Sequence, residues 1–421
     1  MIKIADITLG QILHTDLSEP LDTTNKGLHV HTPTGENVDL ATFLTNFNAE
    51  DFASQTTLAA ILAKIIAAPS TEAKQDEIIS NLNRLAPSSP PSDFTEAPGG
   101  KVLLAGDSSA GFYGFVQPSD FGDLTDNPVE SQTFSGDNLA LALGLSEGAS
   151  QYSDVAWMKF SFGGKILFVP VKTLRNKISW NTIYNTGAVY GDDSVGTLPP
   201  NGRAGLELEI VSDGVTGTDF TSEANAIIAS DVETLTIAGS TSNDGTYNII
   251  TVTNTKITLD ATLTPEASGN NGLRIWNPTD EVTQDAMVTV NGLQYRVRLM
   301  QGGGNDPLDS YTDIDKGSLG DANEWNRLIL PLHERASDGS WLFSNFAPAN
   351  VEDWTVGLTD ENLITHSDFG NGSYSWCQEA RNDTETCRRV YRGNNGASGL
   401  GVDFSWYTPS YRAWRPVLEL V

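Results

Sequence analysis

The residues best suited to binding a transition metal are two histidines near the start of the 421-residue sequence. His29 and His31 are two positions apart in the sequence HVH, and on a β-strand such residues share a face. In a threefold assembly, three of these pairs would surround one Fe, Ni, Cu or Zn ion with imidazoles. The alternative is a pair of solvent-facing histidines on an edge strand.

An acidic stretch, DSYTDIDKGSLGD, carries Asp309, Asp313 and Asp315. Oxygen ligands at alternating positions suit Ca²⁺, although the spacing does not match an EF-hand loop. The alternative is a solvated acidic loop. Ca²⁺ and a His-bound transition metal are therefore the only cofactors that the sequence suggests.

Two cysteines, Cys377 and Cys387, flank the sequence QEARNDTET. A disulfide between them would close this loop in an oxidising medium, whereas a reducing cytoplasm keeps such thiols free. Both states remain open at this point.

The sequence contains none of the short enzyme signatures HExxH, Walker A and CxxC. Each of these places a nucleophile, a metal or a phosphate in a defined local geometry. Paired catalytic carboxylates have no such local signature. We therefore expect a protein that is not an enzyme.

Loop aromatic residues are candidates for an exposed ligand-binding face, because Trp and Tyr are typical anchors of interfaces. The alternative is that they fill the core of the loops. The candidates are Trp341, Trp354, Tyr374, Tyr391, Trp406, Tyr407 and Tyr411. We expect at least four of five other tryptophans to be buried, namely Trp157, Trp180, Trp325, Trp376 and Trp414.

The formal net charge of −29 argues against a nucleic-acid partner, because a phosphate backbone would be repelled. No apolar run approaches the roughly 20 residues of a membrane span, so no membrane insertion is expected. The start, MIKIADITLGQILH, lacks the apolar region of a secretory signal. The many Gly, Pro, Thr and Asn residues favour turn-rich β structure.

The N-terminal part of the chain divides into three predicted segments. Residues 1–50 form a short region with a strand at GLHVHTP, residues 51–86 are helical, and residues 87–99 are a Pro/Ser linker. Apolar residues at helical spacing predict a parallel bundle shared between identical chains, with a helical hairpin in one chain as the alternative. The predicted contact residues are Leu58, Ile61, Leu62, Ile65, Ile78, Leu82 and Leu85.

From residue 100 onward the sequence predicts strands with a few short helices. Residues 201–278 are rich in Thr and poor in aromatic residues, which predicts a small β domain inserted in a surface loop. The surrounding segments, 100–200 and 279–421, form the larger domain. The predicted fold class is α+β, mainly β.

Dispersed motifs in the larger domain, in this order, resemble a C-terminal module of bacteriophage fibres and adhesins: KVLLAGDSSAGFYGFV, GLQYRVRLMQGGGNDP, EWNRLILPLHE, SWCQE, RVYRG and WRPVLEL. The resemblance implies a C-type-lectin-like fold, in which an apolar segment near the C-terminus pairs with one near the domain start. WRPVLEL would then be the closing strand of a core sheet, with Pro416 at its start or on an edge.

The resemblance implies a structural protein of a phage virion, made in the host cytoplasm. An N-terminal region would anchor it, the helical stalk would assemble it with itself as a trimer, and the lectin-like domain would bind a host surface glycan or protein. This describes a tail fibre or receptor-binding adhesin. The alternatives are a head fibre, decoration or collar protein that contacts other virion subunits, and a fibre-borne glycan hydrolase.

Overall fold

The computed structural model describes residues 29–31, 37–39, 97–107, 109–125, 132–192, 198–200, 202–218, 220–221, 234–270, 272–304, 306–308, 323–335, 351–381 and 388–421. The chain divides into two compact units, Met1–Ala86 and Pro87–Val421. In the first unit, strands β1 (His29–His31) and β2 (Asn37–Asp39) pair antiparallel. The predicted helical stalk, with all seven of its contact residues, lies outside the described residues and stays a prediction.

The described residues are mainly β, with several sheets and a few short helices, which confirms the predicted class at that level. The largest sheet of the described residues contains nine strands, numbered here in chain order. They are β3 (Ala105–Gly106), β4 (Ala110–Val116), β5 (Asp123–Leu124), β6 (Gln132–Thr133), β8 (Trp157–Phe162), β9 (Lys165–Pro170), β18 (Met287–Val290), β19 (Leu293–Arg298) and β24 (Val417–Leu420). Their order is β3-β4-β8-β9-β24-β19-β18-β5-β6.

The C-terminal strand β24 lies inside this sheet, between β9 and β19 and antiparallel to both. Leu418 pairs with Phe168 on one side and with Val297 on the other, and it is fully buried. The predicted closing strand is therefore confirmed, and Pro416 directly precedes its first residue.

The partners of β24 differ from those that the resemblance implied. The strand near the domain start, β4, is separated from β24 by β8 and β9. These two strands form a hairpin around Gly163 and Gly164, and the hairpin occupies the positions between β4 and β24. The expectation that the C-terminal segment pairs with the start of the domain is therefore wrong.

A second sheet contains six strands of the described residues. They are β7 (Ala149–Ser150), β10 (Arg175–Asn176), β20 (Tyr374–Ala380), β21 (Arg388–Arg392), β22 (Leu400–Phe404) and β23 (Arg412–Trp414). Their order is β22-β21-β20-β23-β10-β7. One hydrophobic cluster joins residues of both sheets, including Phe168, Trp376 and Leu418.

All five tryptophans that were expected in the core are fully buried, which confirms that prediction. Three of the five donate their indole N–H to a backbone carbonyl. These donors are Trp180, to Cys377 at 2.9 Å, Trp325, to Ala397 at 2.8 Å, and Trp376, to Ile178 at 2.8 Å. Such bonds satisfy the polar atom of a buried indole.

The helices of the described residues are short. The α-helices are α1 (Pro118–Phe121), α2 (Gly136–Ala142), α3 (Trp180–Asn185) and α4 (Asp360–Leu363). The 3₁₀-helices are Pro278–Asp280, Leu330–Leu332 and Ser367–Phe369, and Trp325–Ile329 is a π-helix. Ser135 caps helix α2 by accepting a hydrogen bond from the Asn138 N–H.

The seven-stranded third sheet of the described residues lies within the segment predicted as an insertion. Its strands are β11 (Arg203–Ala204), β12 (Glu209–Val211), β13 (Gly214–Thr216), β14 (Thr234–Ala238), β15 (Gly245–Val252), β16 (Lys256–Leu259) and β17 (Arg274–Trp276). Their order is β11-β17-β14-β15-β16-β13-β12. Ile210, Leu235 and Ile257 belong to a hydrophobic cluster built from this segment.

Candidate binding face

The loop 405–411 connects β22, at the edge of the six-stranded sheet, with β23. Because β21 and β20 lie between these two strands, the loop must cross the sheet past both of them. The Tyr407 N–H donates to the Phe404 carbonyl at 3.0 Å, and the Tyr374 N–H donates to the Tyr411 carbonyl at 2.8 Å. Backbone hydrogen bonds therefore fix the loop to the sheet at both ends.

Two large aromatic side chains of this loop face solvent. Trp406 is 40% exposed and Tyr407 is 38% exposed. The Trp406 ring stacks on Phe404 with centroids 5.4 Å apart, and it meets Tyr407 edge-on at 5.9 Å. The exposed rings thus belong to an ordered array, which we call the aromatic face and define as Phe404, Trp406, Tyr407 and Tyr411.

A buried arginine contacts the aromatic rings on the protein side of this face. The Arg412 guanidinium lies 3.6 Å from the centroid of the Tyr391 ring, 5.0 Å from Tyr374 and 4.9 Å from Tyr411. Its charge is balanced by an ion pair with Asp403. Cation–π contacts strengthen where water is excluded, so Arg412 holds the surrounding rings in fixed positions.

The hydroxyls of Tyr391 and Tyr411 remain protonated at neutral pH. Burial raises the pKa of Tyr411 to about 12, and a hydrogen bond with Tyr407 adds to the rise. Burial also raises the pKa of Tyr391, although the Arg412 charge acts in the opposite direction. The tyrosines can therefore act as neutral hydrogen-bond donors and acceptors.

Five of the seven aromatic candidates from the sequence come together here: Trp406 and Tyr407 are exposed, Tyr374 and Tyr411 are half-buried, and Tyr391 is buried. Tyr374 contacts both Tyr391 and Tyr411, with ring centroids 5.2 Å and 4.8 Å away. The aromatic face is thus continuous with the half-buried Tyr374. Trp341 lies outside the described residues.

The expectation of exposure is wrong for Trp354 and Tyr391, which are 6% and 7% exposed. In both cases a glycine leaves room for the ring. A β-carbon at Gly106 would lie 2.7 Å from the Trp354 ring, and one at Gly401 would lie 2.3 Å from the Tyr391 ring. Each ring therefore packs into space that any other residue type would fill.

Sequence reasoning missed three residues of this site: Phe404, Arg412 and Asp403. A fourth, Arg388, places its guanidinium 4.7 Å from the Phe404 ring centroid. The available signal was the sequence YRAW, in which a cation stands among aromatic residues near the end of the chain.

The predicted metal sites cannot be assessed from the described side chains. His29 and His31 lie on the predicted strand, but their side chains lie outside what the structure describes, as do Asp309, Asp313 and Asp315. Across the described residues, no group of three or more His, Cys, Asp and Glu side chains is placed to hold a metal ion. Both metal sites stay predictions.

Cys377 is a free cysteine and is completely buried. Burial raises the pKa of its thiol well above the ordinary value, which disfavours the reactive thiolate. Cys387 lies outside the described residues, so the disulfide between the two stays a prediction.

Comparison of the chain with protein-family models, with curated proteins and with solved structures found no match. Within the described part of the chain, no helix has the length and apolar character that a membrane crossing requires. The sequence motifs and the aromatic face are therefore the features of the chain that bear on its function.

Proposed function

We propose that this protein is a structural component of a bacteriophage virion, a fibre-like protein that displays a C-type-lectin-like domain for recognition of the host surface. The observation that carries the proposal is the aromatic face. Its exposed Trp406 and Tyr407 lie on a loop that hydrogen bonds and the buried Arg412 hold in place. The sequence motifs that resemble those of phage fibres and adhesins support the same role.

An ordered aromatic face suits a binding role for two physical reasons. Trp and Tyr supply a large contact area with few rotatable bonds, so little conformational entropy is lost on binding. A loop already fixed in one conformation avoids a further ordering cost. The role is binding, without a catalytic step.

The negative net charge of the chain disfavours anionic ligands. The chain carries a formal net charge of −29, which repels strongly anionic polymers. The aromatic rings offer flat apolar surfaces, and the hydroxyls of Tyr407 and Tyr411 offer hydrogen bonds at their edge. A neutral surface glycan fits these properties, since pyranose rings combine an apolar face with hydroxyl groups.

If copies of the chain assemble through the stalk, weak individual binding sites are sufficient to attach the protein to a cell surface. Several copies that bind one cell surface gain avidity of about 10²–10⁴ over a single site. In this proposal residues 1–50 anchor the protein to the virion, residues 51–86 assemble it as a trimer, and the domain after residue 100 faces the host.

The test is binding of the purified full chain to an array of neutral bacterial surface glycans and to host cells. The double variant Trp406→Ala/Tyr407→Ala should bind at least about 10-fold more weakly, because such aromatic anchors contribute most of the energy of an interface. Its melting temperature should stay that of the wild type, since both side chains are exposed. Ile250→Ala is the matched control, because Ile250 is 59% exposed and lies on β15. Unchanged binding by the double variant would refute the role of the aromatic face.

The alternatives predict different results in the same set of assays. A head fibre, decoration or collar protein should bind emptied capsids, fail to bind cells and fail to block infection. A glycan hydrolase should release reducing sugars from host envelope material. A receptor-binding fibre should bind cells and block infection as the purified protein.

A further inference from the structure

A second exposed apolar surface lies where the larger domain begins. We call it the apolar strip and define it as Val102, Leu103, Leu104 and Phe115, which are 71%, 39%, 64% and 45% exposed. Isolated exposed apolar residues are common, but three in succession are unusual unless they serve an interaction. Val102 and Leu104 are each more exposed than Trp406 of the aromatic face.

The apolar strip has a fixed conformation on the sheet. The Leu104 N–H donates to the Phe112 carbonyl of β4 at 2.8 Å. The side chains of Leu103 and Leu104 lie over glycines, because added β-carbons at Gly111 and Gly114 would be 2.5 Å and 3.2 Å from their Cδ1 atoms. The two leucines are thus seated against β4 and still reach solvent.

The strip also adjoins an edge of the nine-stranded sheet, as far as the described residues show. Strand β3, which directly follows Leu104, is the outermost strand of the nine-stranded sheet at this end. Exposed edges that carry apolar residues promote association with other chains, and proteins usually protect them with charge, Pro or a covering segment. Leu103 and Leu104 present apolar surface at this edge.

The apolar strip lies close in sequence to the predicted stalk, which favours a second copy of the chain as its partner. Residues 87–101 separate it from the predicted stalk, and fifteen residues span at most about 54 Å. Copies of the chain that are joined at their stalks therefore keep their strips within this reach of the ends of the stalks. We infer that the apolar strip is a contact between copies of this chain, which rests on the proposed assembly of the protein as an oligomer.

Size and charge agree with a contact that acts only between tethered copies. Four side chains bury far less than the roughly 800 Å² per partner of a stable independent interface. Tethering raises the effective concentration to about the millimolar range, so a weak contact suffices. Since each copy carries a net charge of −29, an uncharged strip is a surface that copies can join without bringing like charges together.

The first experiment is cysteine cross-linking of the full chain. Leu104→Cys should form a disulfide-linked dimer on a non-reducing gel after mild oxidation, because the strips of neighbouring copies meet. The unsubstituted chain and Ile250→Cys are the controls, and neither should give this band. Ile250 is similarly exposed, at 59%, but lies on the inserted sheet.

The second experiment measures the strength of assembly by analytical ultracentrifugation over a range of concentrations. Val102→Ser/Leu104→Ser should raise the concentration at which half of the oligomer dissociates by at least about 10-fold, and Ile250→Ser should leave it unchanged. Both substituted strip residues are exposed, so the fold tolerates the change.

The outcomes separate this inference from the proposed function. If the wild type is an oligomer, but Leu104→Cys forms no cross-link and the serine variant dissociates like the wild type, the strip contact is overturned while the oligomeric fibre stands. A wild type that is monomeric at every concentration would overturn both. Glycan binding by the aromatic face is measured separately and does not depend on either result.

Discussion

Glu419 of the C-terminal strand is the centre of a buried ionic network. Removing its charge should destabilise the packing of that strand in the sheet. The carboxylate is 3% exposed and accepts hydrogen bonds from Lys165 at 2.7 Å, Arg298 at 2.9 Å and Arg296 at 3.0 Å. Arg298 also pairs with the buried Glu324 at 2.6 Å. β24 is thereby linked by charge to both neighbouring strands, β9 and β19.

The substitution Glu419→Gln keeps the shape of the side chain and removes its charge. Removing one partner of a buried ion pair costs about 3–5 kcal/mol, because the other charge remains buried. Arg298 keeps Glu324 as a partner, so we expect the lower end, about 3 kcal/mol. With a urea m-value of about 3 kcal/mol/M, the unfolding midpoint should fall by about 1 M.

The pH dependence supplies an independent check. Burial raises the pKa of Glu419, but Arg298 and Lys165 outweigh it, so the pKa lies below its ordinary value. A carboxylate whose pKa is lowered in the folded state stabilises the fold at pH values above its ordinary pKa. That stabilisation is lost as the pH falls through the lowered pKa. The difference between wild type and variant should therefore be complete at pH 7 and shrink below about pH 4.

The assay is urea unfolding followed by tryptophan fluorescence, once at pH 7 and once below about pH 4. Asp213→Asn is the matched control, because Asp213 pairs with Lys256 at the same 2.7 Å but on the surface. This control should shift the midpoint very little, since exposed ion pairs are weak. If Glu419→Gln shifts the midpoint no more than the control does, or if its effect persists in acid, the network does not hold the strand.

Three further substitutions test other parts of the domain. Burial lowers the pKa of Lys159 to about 7, so the unfolded chain binds this proton more tightly and stability rises with pH above that value. Lys159→Met should therefore melt higher than the wild type at pH 6 and lose this advantage by about pH 10; equal melting temperatures at pH 6 would contradict it. Burial raises the pKa of Glu379 to about 8, so the folded protein binds this proton more tightly and stability falls as the pH rises toward 8. Glu379→Gln should flatten the decline in melting temperature between pH 5 and pH 8, and an unchanged slope would exclude Glu379 as its cause. Gly401→Ala should cost about 1–3 kcal/mol by thermal unfolding, because its β-carbon would meet the Tyr391 ring at 2.3 Å; wild-type stability would show that the ring can move aside.

Local sequence signals determined several elements directly. The hairpin between β18 and β19 turns at Asn291 and Gly292, whose φ angles are +49° and +80°. Asn-Gly is the pair that tolerates positive φ at both positions of a tight turn. Such features depend on a few adjacent residues, so they can be read without knowledge of the rest of the chain.

The burial of the five core tryptophans and the strand character of the last residues were also predictable. Apolar residues that follow Pro416 must be buried somewhere, and β24 is the result. The sequence did not indicate which strands would flank it. Register and order in a sheet depend on pairing between distant segments, here residues 165–170 and 293–298, and no local preference encodes them.

The aromatic candidates show the same division between what local sequence and what tertiary structure decided. By type alone, the seven loop aromatics were equal candidates, and only the tertiary structure separated Trp406 and Tyr407 from the buried Trp354 and Tyr391. Gly106, distant in sequence from Trp354, and Gly401, the cross-strand partner of Tyr391, made that distinction by leaving space for a ring. The sequence by itself determined the supply of aromatic residues, the mainly β class and the local turns. Which rings reach solvent was decided by contacts between segments far apart in the chain, because exposure depends on what fills the space opposite each side chain.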